Sequence, residues 1–206
     1  MMAFKDFKNI SQVLKKYNIK YQDESFLPIQ EVEVPQHFLD EIQFSIEHLN
    51  AFGSEASRCE NIIYPILREA FKQFADRLAL WSHEVIRDDE DLRGAPDYLI
   101  STKSELGKKV IGLPLLIVSE AKRNDFEQGW GRCLTEMAAA QKINGQELLP
   151  LYGIVTDGEL WQFGKLVQDV FTKDKSRLTI PDLPKIFGAV LWLLEEVSAN
   201  QTSSAA

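Results

Sequence analysis

Glu120 and Lys122 stand two residues apart at the end of an apolar run that begins at Leu115. In a strand, that spacing projects both side chains from one face. Ala121 then turns the other way and is small enough to lie against a helix. Asp97 follows Pro96 at the start of the preceding predicted strand, and the hairpin between them can set the two acids side by side. Glu60 joins them from a helix predicted over roughly residues 55–78. Three carboxylates around one point repel one another and raise at least one pKa, unless a cation sits among them. A hard divalent ion such as Mg²⁺, with Mn²⁺ as substitute, takes one or two carboxylates plus waters and phosphate oxygens. Asp97, Glu120 and the carbonyl of Ala121 are the predicted inner shell. Such an ion activates a water and neutralises charge building on phosphorus. Lys122 beside it can orient that water or stabilise the phosphate in the transition state.

The elements that must position these groups follow from periodicity. In the 55–78 helix, with Ser54 as N-cap, Ile63, Leu67, Ala70, Phe71 and Phe74 make an apolar stripe. Counting about 100° per residue puts Glu60 inside that stripe, with Glu55 and Glu69 pointing away. Pro65 kinks this helix or starts a second one. Strands are expected over Leu80–Ile86, Tyr98–Ser101 and Leu115–Ala121. Leu115-Leu116-Ile117-Val118 is apolar on both faces, the pattern of a covered central strand. Asn124-Asp125 caps a helix carrying Phe126, Trp130, Cys133, Leu134, Met137 and Gln141 on one face, and Gly145 ends it. Leu151–Thr156, an Asp157-Gly158 turn and Leu160–Phe163 form a hairpin.

Before this core, Phe4, Phe7, Ile10, Val13, Leu14 and Tyr17 recur at helical spacing, Val32 and Val34 suggest a short strand, and Phe38 to Leu49 restore the helical period. After it, Pro181–Val197 is helical and 198–206 is expected to fray. The reading is one α/β domain, with a lead-in over 1–53, a core over 54–166, a C-terminal strand and helix over 167–197, and a tail. A mixed sheet of four or five strands should carry the two main helices on opposite faces.

The 206 residues fit one domain, and 45% hydrophobic with 26% charged residues is a globular balance. A net charge of −8 excludes polybasic nucleic-acid binding but not a local contact through metal ions. Two cysteines, Cys59 and Cys133, are too few for a disulfide scaffold and are expected to be buried thiols. Neither a signal-peptide core nor an apolar run of membrane-spanning length is seen, so the expected address is cytoplasmic, with no membrane partner. His37, His48 and His83 lack metal-ligand spacing and read as surface or core residues. The four tryptophans read as core, Lys108-Lys109 as a solvated loop, and Asp88 to Asp91 as a solvated acidic turn. Asp6-Phe7-Lys8 and Pro181-Asp182 repeat parts of the acidic pattern on helical segments, where the required order of strands is missing.

Glu60, then Pro96-Asp97, then Glu120-Ala121-Lys122, in the order helix, strand, strand, resembles the PD-(D/E)XK nuclease superfamily, the restriction-endonuclease-like fold. Residues 60–67 are similar to the helix carrying that family's first acid, and 152–163 to the hairpin that follows its catalytic core. The resemblance spans about 54–166, and the flanking segments are similar to uncharacterised, largely cyanobacterial members. It implies Mg²⁺-dependent hydrolysis of DNA phosphodiesters, with Glu60, Asp97 and Glu120 as the acids and Lys122 as the catalytic lysine. Related members often carry glutamine near Arg132, which here would contact phosphate directly. A homodimer is expected, because two copies of a single-site domain can cut both strands of a duplex. The competing expectation is a catalytically weak module of the same fold that binds nucleic acid or a protein.

Overall fold

The computed structural model describes residues 2–3, 7–88, 92–122 and 125–203. In chain order the elements are β1 (Met2–Ala3), α1 (Ile10–Tyr17), β2 (Lys20–Glu24), α2 (Gln36–His48) and α3 (Glu55–Arg58). A π-turn over Cys59–Ile63 leads into α4 (Tyr64–Phe71), followed by β3 (Leu78–Ser82), β4 (Ile86–Asp88), β5 (Leu92–Gly94) and β6 (Tyr98–Thr102). The remainder is β7 (Leu115–Ala121), α5 (Phe126–Asn144), β8 (Leu151–Thr156), β9 (Leu160–Val167), β10 (Val170–Asp174), β11 (Leu178–Thr179) and α6 (Leu183–Ser203).

The main sheet runs β2-β10-β9-β8-β7-β6-β3, with β11 paired to β9, so it is eight-stranded rather than the expected four or five. It is mixed: β7 and β8 are parallel, as are β10 and β2, while β6 pairs antiparallel with β7. The parallel β7–β8 pair needs a crossover, and α5 supplies it. All seven residues of β7 are buried, the outcome that the unbroken apolar run predicts. One face of the sheet packs against α2, α4 and α6 through Ile42, Ile66, Leu67, Phe187 and Leu194. The other packs against α1 and α5 through Val13, Trp130, Cys133, Leu134 and Met137. The helix that follows Ser54 and the long helix after β7 therefore do lie on opposite faces of a mixed α/β sandwich.

Several local expectations are corrected. Residues 31–35 are irregular rather than a strand. The chain instead adds β2, five exposed residues that pair with β10 and bring the lead-in into the main sheet. The 80–86 strand is two elements, β3 and β4, broken at His83, whose φ of 54° is left-handed. The β8–β9 hairpin turns at Gly158-Glu159 rather than Asp157-Gly158, because Asp157 donates its N–H to Leu160 at 3.3 Å. Gly158 takes the φ of 86° that this turn requires. The C-terminal helix continues to Ser203 instead of ending at Val197, with Ser198 buried. Phe4, Asp6, Asp89 to Asp91, Asn124 and the last three residues of the tail lie outside the described residues.

Candidate active site

The helix after Ser54 is not one regular helix, and this decides which acid enters the site. Ser54 caps it as expected, accepting a hydrogen bond from the Ser57 N–H at 3.0 Å. The π-turn then places one extra residue in the helix. Everything N-terminal to it shifts back by one helical position relative to Ile63. Glu55, eight residues before Ile63, takes the phase of a residue seven before, which is inward. Arg58 shifts the same way and is buried, bonding the Phe52 carbonyl at 3.1 Å, the Asp157 carbonyl at 2.7 Å and Glu159 Oε2 at 3.1 Å. Glu60 is exposed instead of inward-facing. Pro65 occupies the first turn of α4, the second of its two expected roles. Glu69, expected to point away, is buried against Lys72 and His37 on the far side of the helix.

On the sheet, the antiparallel register pairs Tyr98 with Ser119, which sets Asp97 opposite Glu120. Asp97 Oδ2 accepts the Ala121 N–H at 2.8 Å. N–H and C=O of one strand residue point the same way, so the Ala121 carbonyl opens on the Asp97 side. Lys122 leaves the strand with its N–H on the Thr156 carbonyl at 2.8 Å, and its Nζ lies 3.6 Å from Glu55 Oε2. A cleft of ≈ 400 Å³ opens beside this group, walled by Glu55, Cys59, Glu60, Tyr64, His83 and Asp97. Asp97, Glu120, Ala121, Lys122 and Glu55 therefore converge, while Glu60 stands on the outer wall.

Glu120 is fully buried, and its carboxylate is paired with the Glu136 carboxyl through a side-chain hydrogen bond. Its nearest cation is Arg132 on α5, with Nε 3.3 Å from Oε2, an ion pair without directed hydrogen-bond geometry. Burial, and after it the negative charge of Asp97, pushes the Glu120 carboxyl up to about 8, against the pull of Arg132. Asp97 is also raised by burial, with the Ala121 N–H, Arg132 and His83 opposing. One helical turn beyond Arg132, Glu136 is fully buried, and its carboxyl hydrogen-bonds that of Glu120. Burial, and after it the charge of Glu120 and the hydrogen bond to it, raise the Glu136 carboxyl well above its usual value.

Sequence reasoning missed Glu55, Glu136 and His83. His83 is exposed, as expected, and its Nδ1 lies 3.5 Å from Asp97 Oδ1 at the rim of the cleft. Glu136 had a legible signal, a carboxylate four residues after Arg132 on the face that carries Cys133 and Met137. Cys59 and Cys133 are buried as expected, and burial pushes both thiols up. Trp130 and Trp161 are core, while Trp81 and Trp192 are half-buried. Lys108 and Lys109 are exposed in the loop between β6 and β7.

Among the described residues, no group of three or more His, Cys, Asp or Glu side chains is placed to hold a metal ion. What the site offers a hard cation is a pair of carboxylates and a carbonyl. Glu120, buried beside the Asp97 carboxylate and already drawn to the Arg132 cation, fits that chemistry, because buried carboxylates gathered at one place are stabilised by positive charge. Among the described residues no helix is long and apolar enough to cross a membrane. No protein-family model and no curated protein sequence matches the chain.

Proposed function

We propose that the chain is a Mg²⁺-dependent nuclease of the PD-(D/E)XK class that hydrolyses DNA phosphodiesters, with a restriction-endonuclease-like core and two copies acting on a duplex. The observation that carries this reading is the pairing of Asp97 with Glu120 on adjacent strands, with Lys122 projecting beside them. Asp97, Glu120 and the Ala121 carbonyl would hold the ion, with Mn²⁺ able to replace it. When bound, the ion would supply an activated water and neutralise charge on the phosphate. The Ala121 N–H fixes Asp97 Oδ2, so Oδ1, which faces His83 Nδ1 at 3.5 Å on the rim of the cleft, is the oxygen that would meet the ion. Glu55 holds the Lys122 ammonium at the mouth of the cleft, where it can meet a phosphate oxygen or the attacking water. Glu60, on the outer wall, acts through water or not at all.

A second reading, a nuclease-fold module without strong catalysis, is favoured by one observation: Arg132 already sits against Glu120. Calorimetry with Mn²⁺, paired with nicking of supercoiled plasmid, separates the two. The nuclease reading expects binding and cleavage in the wild type, and loss of both in Asp97→Ala and Glu120→Ala. Binding without cleavage across DNA and RNA substrates would move the conclusion to the module, and absence of binding would defeat the metal mechanism.

A further inference from the structure

Arg132 is held where a counter-ion of Glu120 must be. It leaves α5 toward the sheet, its side chain is 21% exposed, and its Nε lies 3.3 Å from Glu120 Oε2. Among the described residues, the carboxylates whose fields act on it most are Glu120, Glu136, Asp97 and Glu55, in that order. All of them except Glu136 belong to the proposed centre. Its guanidinium is planar and permanently charged, so it cannot lose a proton to make way for another cation.

We infer that Arg132 is the resident cation of this centre: it occupies Glu120 in the free protein and competes with the divalent ion for that carboxylate. The inference rests on the metal-dependent reading above and adds a device to it, an internal contact that weakens loading until the guanidinium is drawn away. The sign does not depend on how Glu120 is protonated. If Glu120 is ionised, the ion brings two positive charges beside Arg132. If Glu120 carries a proton, the ion brings two and releases one. In both cases the site gains positive charge next to a fixed guanidinium, and the cost is set by Coulomb repulsion in a buried place. Removing the Arg132 charge therefore strengthens ion binding, the opposite of what is expected for a residue that merely props up the site.

The test is calorimetric titration of the full chain with Mn²⁺, at fixed pH and salt, for the wild type, Arg132→Gln and Arg132→Lys. Should Arg132→Gln fail to fold by circular dichroism, Arg132→Met takes its place. The neutral variant is expected to bind Mn²⁺ at least roughly tenfold more tightly, as removal of one nearby unit charge requires. Arg132→Lys, which keeps the charge, should stay near the wild type. Equal or weaker binding in the neutral variant overturns the inference, as does equal tightening in both variants. A wild type that binds no Mn²⁺ beside a neutral variant that does would support the inference while sinking the metal-dependent reading of the native chain. Wild-type binding and cleavage with no tightening in the neutral variant would do the reverse, and absence of binding in every variant would remove both.

Discussion

Lys122 and the two acids beside it share a strand end but not a job. Asp97 and Glu120 are the ligands of the proposed ion, whereas Lys122 is a positive charge near it. Lys122→Ala should therefore leave Mn²⁺ binding intact or slightly tighter, since it removes a like charge. Plasmid nicking should nevertheless fall roughly 10²- to 10³-fold, the loss expected for one preorganised charge aimed at a transition state. Glu55→Gln keeps the size of its side chain but frees the Lys122 ammonium from its 3.6 Å partner. Cleavage should drop more than in Glu60→Ala, and a larger loss in Glu60→Ala would put the first acid back where simple helical counting places it. Asp97, Glu120 and Lys122 were legible because strand geometry is short-ranged: a two-residue step and an antiparallel pair leave little freedom. Glu55 was not legible, since a single extra residue in a π-turn changes the phase of everything before it without changing any residue type. Glu136 lay in plain view on α5, but nothing in the order of residues says which partner a buried acid will meet.

At the scale of elements, the approach of α5 to β8 and to the end of β7 rests on glycine. A Cβ at Gly129 would meet Val155 Cγ1 at 2.7 Å and the Lys122 Cβ at 3.3 Å. Gly129→Ala should then cost about 1–3 kcal/mol by overpacking and, because the Lys122 Cβ is crowded as well, should reduce cleavage too. Gly145→Ala is the control: this residue ends α5 at a φ of 62°, with nothing within 4 Å of an added Cβ. It should lower stability by about 1 kcal/mol and leave cleavage unchanged, as urea melts and nicking rates would show. Strong apolar runs made β6, β7, β8 and the amphipathic helices legible, because burial on one or both faces dictates composition. β2 was invisible because all five of its residues are exposed and its place comes from pairing with β10, some 150 residues later in the chain. Val32 and Val34 misled for the opposite reason. They alternate like a strand, yet Val34 is buried in the core without any ladder.

For the whole molecule, the buried acids at the centre of the sandwich tie stability to pH in an unusual direction. Most paired carboxylates stabilise a fold when ionised, so stability is lost as pH falls. Here Glu120 is raised from 4.5 to about 8, chiefly by burial, and Glu136 is raised as well. The folded chain therefore binds these protons more tightly than the unfolded chain. The Glu120 contribution is fully present below the unfolded value near 4.5 and is lost as pH rises through about 8. In chelator, the melting temperature of the wild type should decline between roughly pH 5.5 and 8.5. Histidines and other groups titrate across the same range, so the informative quantity is the difference from Glu120→Gln, which keeps the shape and removes the ionisation. That variant should show a shallower decline and a higher melting temperature than wild type at pH 8.5. Adding Mn²⁺ should then raise the wild-type melting temperature more at pH 8.5 than at pH 6, because an ion bound by the native state alone stabilises it by mass action and meets less competition from protons at high pH. Parallel curves for wild type and Glu120→Gln would show that Glu120 ionises as freely in the fold as outside it. A pH-independent Mn²⁺ shift would show that the ion is held by groups other than Asp97 and Glu120.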